Sequence, residues 1–133
     1  MIDIEDEVFR RIAEKLREQF PGITVYGEEM GVPSSFPCVT IVEADNSTDT
    51  NTLDSSTSEN HANLMYETNA YSNLSEGKKA QCKAIMTVID EEYRRMGFVR
   101  LTLLPTPMQD ATISRMTARH AAKADKNKTI YRR

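Results

Sequence analysis

Residues 36–43, FPCVTIVE, and residues 62–72, ANLMYETNAYS, are the two stretches that decide the fold. Both are rich in β-branched and aromatic side chains, which favour strands. The first is apolar on both faces around Cys38–Val42, and this predicts a central strand that starts after Pro37. A polar run separates the two stretches, so we predict an antiparallel hairpin with an unusually long connection.

The polar connection, residues 45–60, consists almost entirely of Ser, Thr, Asp and Asn. Such a run cannot bury enough apolar surface to order itself in isolation. Loops longer than about 12 to 15 residues in a compact domain are usually functional or disordered. We therefore expect a protruding loop that contacts a partner protein. Its candidate interface residues are Asp45, Asp49, Leu53 and Asp54, of which Leu53 is the only large apolar one.

Two amphipathic helices flank this hairpin. Residues 3–20 have an apolar residue at every fourth position, and Asp3 can cap the start of the helix. A second helix is predicted from Ser75 to Met96, with Gly97 as its C-terminal cap. Its predicted apolar side carries Ala80, Ala84, Ile85, Val88, Ile89 and Tyr93.

The remaining strands are predicted at Ile23–Tyr26, Phe98–Leu104 and Thr112–Ala122, with a short last one around Ile130. The order of elements indicates one α+β domain over residues 1–133, in which two helices pack on one face of a mainly antiparallel sheet of four to five strands. Residues 123–133 are expected to form a basic C-terminal turn and strand. The apolar residues on the other face of the sheet would need separate cover, which a neighbouring subunit could provide.

The composition excludes several classes of protein. With 39% hydrophobic and 28% charged residues, the chain is typical of a globular domain. No segment approaches the roughly 20 apolar residues of a membrane span, and the acidic start MIDIEDEVFRR differs from a secretory signal, so we expect no membrane contact and assembly in the cytoplasm. Cys38 and Cys82 lack the spacing of a zinc site, and we expect two buried free thiols.

Charge is distributed unevenly along the chain. Residues 115–133 contain seven Lys or Arg and one Asp, a net +6, and the rest of the chain carries −9. Copies with an acidic body and a basic end could meet head to tail, and we name Arg115, Arg119, Lys123 and Arg132 as candidate interface residues. Residues 115, 119 and 123 are spaced for one face of a strand. The alternatives are a solvated basic strand or a phosphate-binding surface.

Catalytic groups are sparse. His61 and His120 have no acidic partner at a spacing that forces contact, which favours structural histidines. The triplet Asp90-Glu91-Glu92 points in three directions on a helix and is expected to be a solvated face. Glycine-rich phosphate-binding motifs are lacking in the sequence. We predict a non-enzymatic protein with no catalytic, cofactor-binding or metal-binding residues.

Several short motifs in the second half resemble one family. They are YETNAYSN at residues 66–73, Lys78-Lys79 opening a helix, Gly97-Phe98 entering a strand, LPTP at 104–107, DATISRMTAR at 110–119 and IYRR at 130–133. Together they resemble the tail terminator proteins, also called tail completion or neck proteins, of long-tailed bacteriophages. The likeness covers residues 62–133 in motif and the whole chain in order of elements.

The resemblance implies a virion protein without a cofactor. In that family several copies, commonly six, close into a ring that caps the tail tube, stops its growth and forms the attachment surface for the head connector. The implied partners are the chain itself, the tail tube protein and the head-tail connector, and DNA passes through the ring without specific binding. The alternatives are a head-completion or connector protein of the same neck, or a small nucleic-acid-binding protein.

Overall fold

The computed structural model describes residues 1–29, 31, 33–49 and 61–130. Two helices and five strands follow in the order α1 (Glu5–Gln19), β1 (Thr24–Tyr26), β2 (Cys38–Thr48), β3 (His61–Ser72), α2 (Lys78–Met96), β4 (Val99–Pro105) and β5 (Ser114–Asp125). The strands form one sheet in the order β1-β2-β3-β5-β4. Only the β1–β2 pair is parallel. The predicted α+β fold is confirmed, and the sheet is mixed. No helix within the described ranges is long and apolar enough to cross a membrane.

The β2–β3 hairpin is longer than the sequence pattern indicates. Its register runs from Cys38 opposite Tyr71 to Thr48 opposite Ala62, with an irregularity between Glu43 and Asp45. Residues 45–48 therefore belong to a strand, and the prediction that they begin a protruding loop is wrong. Backbone N–H and C=O groups pair along the ladder whatever the polarity of the side chains, and polarity misled the prediction. Residues 50–60, including Leu53 and Asp54, lie outside the described residues.

Alternate side chains of β3 define the two faces of the sheet. The helix face carries Ala62, Leu64, Tyr66, Thr68 and Ala70, all of them buried. Helix α2 reaches this face through Tyr93, whose hydroxyl lies 3.0 Å from Oγ1 of Thr68. The opposite side, which we call the second face, carries Asn63, Met65, Glu67, Asn69 and Tyr71.

Helix α1 starts at Glu5, two residues after the start of the predicted range, and Ile4 rather than Asp3 is its N-cap residue. The Oδ1 atom of Asp3 accepts a hydrogen bond from the backbone N–H of Glu5 at 3.0 Å. Val8, Ile12 and Leu16 are fully buried in the same core as the helix face. Burial of each such side chain stabilises the fold by about 1.5 to 3 kcal/mol.

Helix α2 begins later than predicted, and its buried stripe only partly matches the predicted one: Ile85, Ile89 and Tyr93 are buried as predicted, and Val88 packs against the core. It starts at Lys78 after Gly77, which has a φ of 81°, and it ends at the predicted cap Gly97, with a φ of 99°. Ala80 and Ala84 are exposed. The buried residues are Cys82, Ile85, Met86, Ile89, Glu92, Tyr93 and Met96. Small alanines fit either side of a helix, so they are weak markers of the core.

A second, smaller apolar cluster covers one end of the second face. Cys38, Tyr71 and Ile113 are its buried members. Tyr26, Phe36 and Met108 pack against them from β1 and the connecting loops. The other face was expected to need separate cover, which a neighbouring subunit could provide, but at this end residues of the same chain provide it. Tyr66 and Tyr71 lie on opposite faces, as their spacing predicts.

The C-terminal region continues β5 beyond the predicted end. Lys123 lies within β5, and the strand ends at Asp125. A turn follows, in which Lys128 has a φ of 64°. Ile130 then forms a single antiparallel bridge with Ala124 in place of the predicted strand, as far as the described residues extend. Arg132 lies outside the described residues.

Candidate functional site

The second face carries the three basic residues of β5 that the sequence singled out. Arg115, Arg119 and Lys123 lie opposite Tyr71, Glu67 and Asn63 of β3, so their shared face is confirmed. Arg119 Nη2 lies 3.1 Å from Glu67 Oε1. Arg115 donates from Nε to Asn69 Oδ1 at 3.0 Å, and its guanidinium lies 5.4 Å from the centre of the Tyr71 ring. These two cations are held by neighbours within the chain.

Asp49 and Lys123 meet at the far end of this face. The Nζ atom of Lys123 lies 2.6 Å from Oδ2 of Asp49. Asp49 is buried, although a protruding loop was predicted for it, because its backbone N–H continues the hairpin by donating to the carbonyl of His61 at 2.8 Å. Asp45 is exposed and lies opposite Met65. Two predicted interface residues, one from the polar run and one from the basic segment, therefore form an ion pair within the molecule.

Strand β4 presents large apolar side chains at the edge of the sheet. Val99, Leu101 and Leu104 are 51%, 49% and 62% exposed. The strand pairs with β5 alone within the described chain, so its outer side has no partner strand. A shift of register between Arg100 and Thr102 breaks the simple alternation that the sequence suggests. The edge thus combines exposed apolar surface with unpaired backbone groups.

A recess of about 580 Å³ adjoins this edge on the second face. Met65 from β3, Ala121 from β5 and Val99 and Leu101 from β4 provide its apolar lining. Ala121 stands opposite both Met65 and Val99, so its small side chain creates the depression between larger neighbours. Together with the β4 edge, this recess forms an apolar surface, which we call the β4 surface.

Two acidic residues of α2 are partly or fully enclosed, which contradicts the predicted solvated face. Asp90 Oδ1 lies 2.9 Å from Nε2 of His120, and its Oδ2 lies 3.4 Å from Nη1 of Arg100. Glu92 is buried and bonds Arg11 of α1 at 2.9 Å. Only Glu91 is exposed. One residue in three or four on a helix faces the core, so a charged triplet can carry buried members.

His120 is a buried, neutral structural histidine, and sequence spacing did not reveal its acidic partner. Its ring stacks on Tyr93 with 4.2 Å between centroids. The carboxylate of Asp90 can only accept, so Nε2 must carry the proton. Nδ1 is buried with no partner among the described residues. Burial lowers the pKa of His120, and the charge of Arg100 lowers it further, whereas the hydrogen bond that His120 donates to Asp90 and the charge of Asp90 raise it. Burial raises the pKa of Asp90, but His120, Arg100 and Arg94 together bring it below its usual value.

Stability should therefore fall as the pH drops through about 6.5. The unfolded chain binds a proton at His120 near that pH, whereas the folded chain resists it, so acid favours unfolding. Urea denaturation at pH 7.5 and 5.5 measures the difference. A His120→Gln chain should lose much of this pH dependence. If its free energy of unfolding changed with pH as much as that of the wild type, His120 would not be the group responsible. The contribution of the Asp90 carboxylate to the stability of the fold is lost only at lower pH, below about 4.

One group of carboxylates lies close enough to hold a cation. Single oxygens of Asp3, Glu5 and Glu43 lie within 4.8 Å of one another, and this is the sole such group among the described residues. Burial raises the pKa of Glu5, with further contributions from Glu43, Asp3 and Asp6. Exposed acidic groups often gather without an ion, so this proximity assigns no metal. The two cysteines are buried free thiols as predicted, and burial raises the pKa of Cys38 to about 12.

Comparison with known proteins does not add a relationship. No family model and no curated protein matches the chain.

Proposed function

We propose that the chain is a structural protein of a long-tailed bacteriophage, a tail terminator found in the neck of the virion and assembled in the host cytoplasm. Its copies close into a ring, commonly of six, that caps the tail tube, ends tail growth and offers the attachment surface for the head connector. The motif resemblance supports the family. The exposed apolar edge of β4 supports self-assembly, and this is the observation that carries the proposal.

Natural sheets usually protect their edge strands with charges, prolines or covering segments. In β4 the protection is slight: Pro105 comes at the end of the strand, and Arg100 is drawn towards Asp90 on α2. Three large apolar residues remain about half exposed. Covering such surface gains roughly 25 cal/mol per Å². A second protein on the β4 surface would therefore stabilise both partners.

A ring requires a heterologous contact, in which two different patches meet and the rotation closes. The β4 surface supplies one apolar patch on one side of the molecule. A ring would join the β4 surface of one copy to a different patch of the next copy, whereas a symmetric dimer would join it to the β4 surface of its partner.

The electrostatics of the second face support the passage of DNA without specific binding. Arg119 and Lys123 are each paired with a carboxylate, and Arg115 is occupied by Asn69 and Tyr71. Phosphate would have to compete with these partners. Counterion release, which drives most nonspecific DNA binding, is correspondingly reduced. On this face, therefore, the nucleic-acid-binding alternative has less support.

The test is to disable the gene in the virus that carries it and to supply the protein from a plasmid. Particles without the protein should have tails of uncontrolled length, and the wild-type protein should restore uniform tails. A Leu101→Asp/Leu104→Asp chain should fold, because both side chains are exposed, and should fail to restore them. Electron microscopy of the tails provides the measurement.

An exposed substitution away from β4, such as Arg17→Asp, provides the control and should restore uniform tails. Tails of normal length beside unjoined heads would reject the terminator role and favour the connector alternative. Full restoration by the Leu101→Asp/Leu104→Asp chain would remove the β4 surface from the proposal.

A further inference from the structure

Ion pairing inside the molecule leaves one acidic group without cations. Asp3, Glu5, Asp6 and Glu7 surround the start of α1, and Glu43 of β2 lies beside them. None of the five forms an ion pair with a described residue, whereas Glu14, Glu18, Asp90 and Glu92 of the helices do. We call these five residues the acidic end.

The carboxylates of the acidic end repel one another. The carboxylates of Asp3, Glu5 and Glu43 crowd within 4.8 Å. Lys128 lines a small recess with Asp3, Asp6 and Glu7 but makes no ion pair within 4.0 Å in the described chain. An external cationic surface would relieve this repulsion.

A basic group lies at the start of α2, next to Glu76 in the sequence. Lys78, Lys79 and Arg115 line a recess of about 550 Å³ whose other walls include Pro105, Pro107 and Met108. No carboxylate residue lines this recess, and neither lysine forms an ion pair with a described residue. We call it the basic recess.

The start of α2 adds to the positive potential there. Gly77 provides no side-chain cap, and the first turn of the helix has no acidic residue. The free N–H groups of a first turn carry a partial positive charge. Lysines at this position oppose the helix dipole, so they cost stability in the isolated molecule. Arg115 is held in place by Asn69 and Tyr71, which orients it without neutralising it.

The two charged groups lie apart along the sheet. Glu43 is opposite Tyr66 in the middle of β3, whereas Ser114, next to Arg115, is opposite Ser72 at the end of β3. The offset of six residues between positions 66 and 72 corresponds to about 20 Å of strand. A single molecule cannot bring its own acidic end to its own basic recess. Two copies can do so head to tail.

We propose that the basic recess of one copy receives the acidic end of a second copy, and that this contact sets the orientation of neighbouring subunits. The inference rests on the proposed self-assembly and names the surfaces that it uses. Complementary charges of this kind steer association and select orientation, whereas like charges brought together are strongly unfavourable. Because the groups are exposed, added salt should weaken the contact.

Paired charge reversals test the contact in the full-length chain. Lys78→Glu/Lys79→Glu makes both surfaces acidic, and Asp6→Lys/Glu7→Lys makes both basic, so each variant alone should associate at least about tenfold more weakly than wild type. An equal mixture of the two variants restores opposite charges at every contact and should regain association. Sedimentation velocity at low salt measures the assembled fraction. Arg17→Glu/Lys126→Glu is the matched control, with the same charge change at exposed sites elsewhere, and should assemble more than the Lys78→Glu/Lys79→Glu chain.

The thermal stability of the monomer distinguishes a variant that fails to assemble from one that fails to fold. Lys78→Glu/Lys79→Glu places acidic residues in the first turn of α2, where the helix dipole favours them, so the Tm measured on dilute monomer should rise. Association should fall in the same variant. An unfolded protein would show both quantities falling, and it could not regain assembly on mixing.

Three outcomes overturn the inference. Wild-type levels of assembly by Lys78→Glu/Lys79→Glu would place the contact elsewhere while leaving self-assembly and the proposed function intact. If the mixture of the two variants did not regain association, the two surfaces would not meet. Binding of a short DNA duplex that is lost in this variant, with assembly unchanged, would assign the recess to a polyanion. A wild-type chain that stays monomeric, also in the presence of tail tubes, would reject the proposed function itself.

Discussion

Replacing Glu92 by Ala should lower the free energy of unfolding by about 3 kcal/mol. The side chain of Glu92 is only 10% exposed and connects both helices. Its Oε1 atom lies 2.9 Å from Nη2 of Arg11 on α1, and its Oε2 atom lies 3.1 Å from Nη1 of Arg95. Removing one member of a buried pair costs about 3 to 5 kcal/mol, because the remaining charge stays desolvated. The partial exposure of Arg11 places the effect at the lower end of that range.

Arg95→Ala is the matched control for Glu92. Its side chain is 55% exposed, so the ion pair with Glu92 is screened by solvent, and its loss should cost less than about 1 kcal/mol. Guanidinium denaturation followed by circular dichroism compares the two variants. Equal losses in both would show that Glu92 does not act as the buried connection between the helices.

A Tyr93→Ala chain should lose about 4 kcal/mol, the largest effect of a single truncation that we expect. Tyr93 is fully buried where α2 crosses the helix face. Its ring lies 4.2 Å from that of His120 and 5.1 Å from that of Phe98, centroid to centroid. Truncation leaves a cavity between three elements and removes these ring contacts together with the hydrogen bond to Thr68.

Tyr93→Phe divides this effect into its parts. The ring and its packing remain, and only the hydroxyl that meets Thr68 Oγ1 at 3.0 Å is lost. One unmade hydrogen bond costs about 1 kcal/mol, with Thr68 left buried and without that partner. Denaturation curves of the two variants measure how much unfolding free energy each one loses. If Tyr93→Phe proved as damaging as Tyr93→Ala, the hydroxyl network would be the main source of stability.

Sequence patterns predicted some parts of the site and missed others for identifiable reasons. The four-residue spacing of Arg115, Arg119 and Lys123 placed them on one face, because the period of a strand is two whatever its partners. The ion pairs of Arg119 with Glu67 and of Lys123 with Asp49 were missed. Lys123 pairs with Asp49, 74 positions away, and chain-local patterns carry no information about such pairs. The polar composition of residues 45–48 also concealed a strand.

By itself, the sequence determined the class of fold, the order of elements, the end of α2 and the opposite orientation of Tyr66 and Tyr71. These features follow from periodicity and end signals within a few residues. The family resemblance and the phage function stay predictions. Only the tertiary structure decided that His120 pairs with Asp90, that Glu92 joins the helices, and that β4 forms an open apolar edge. Each of these three features depends on which distant segments of the chain pack together. The distance between the acidic end and the basic recess depends on the same packing.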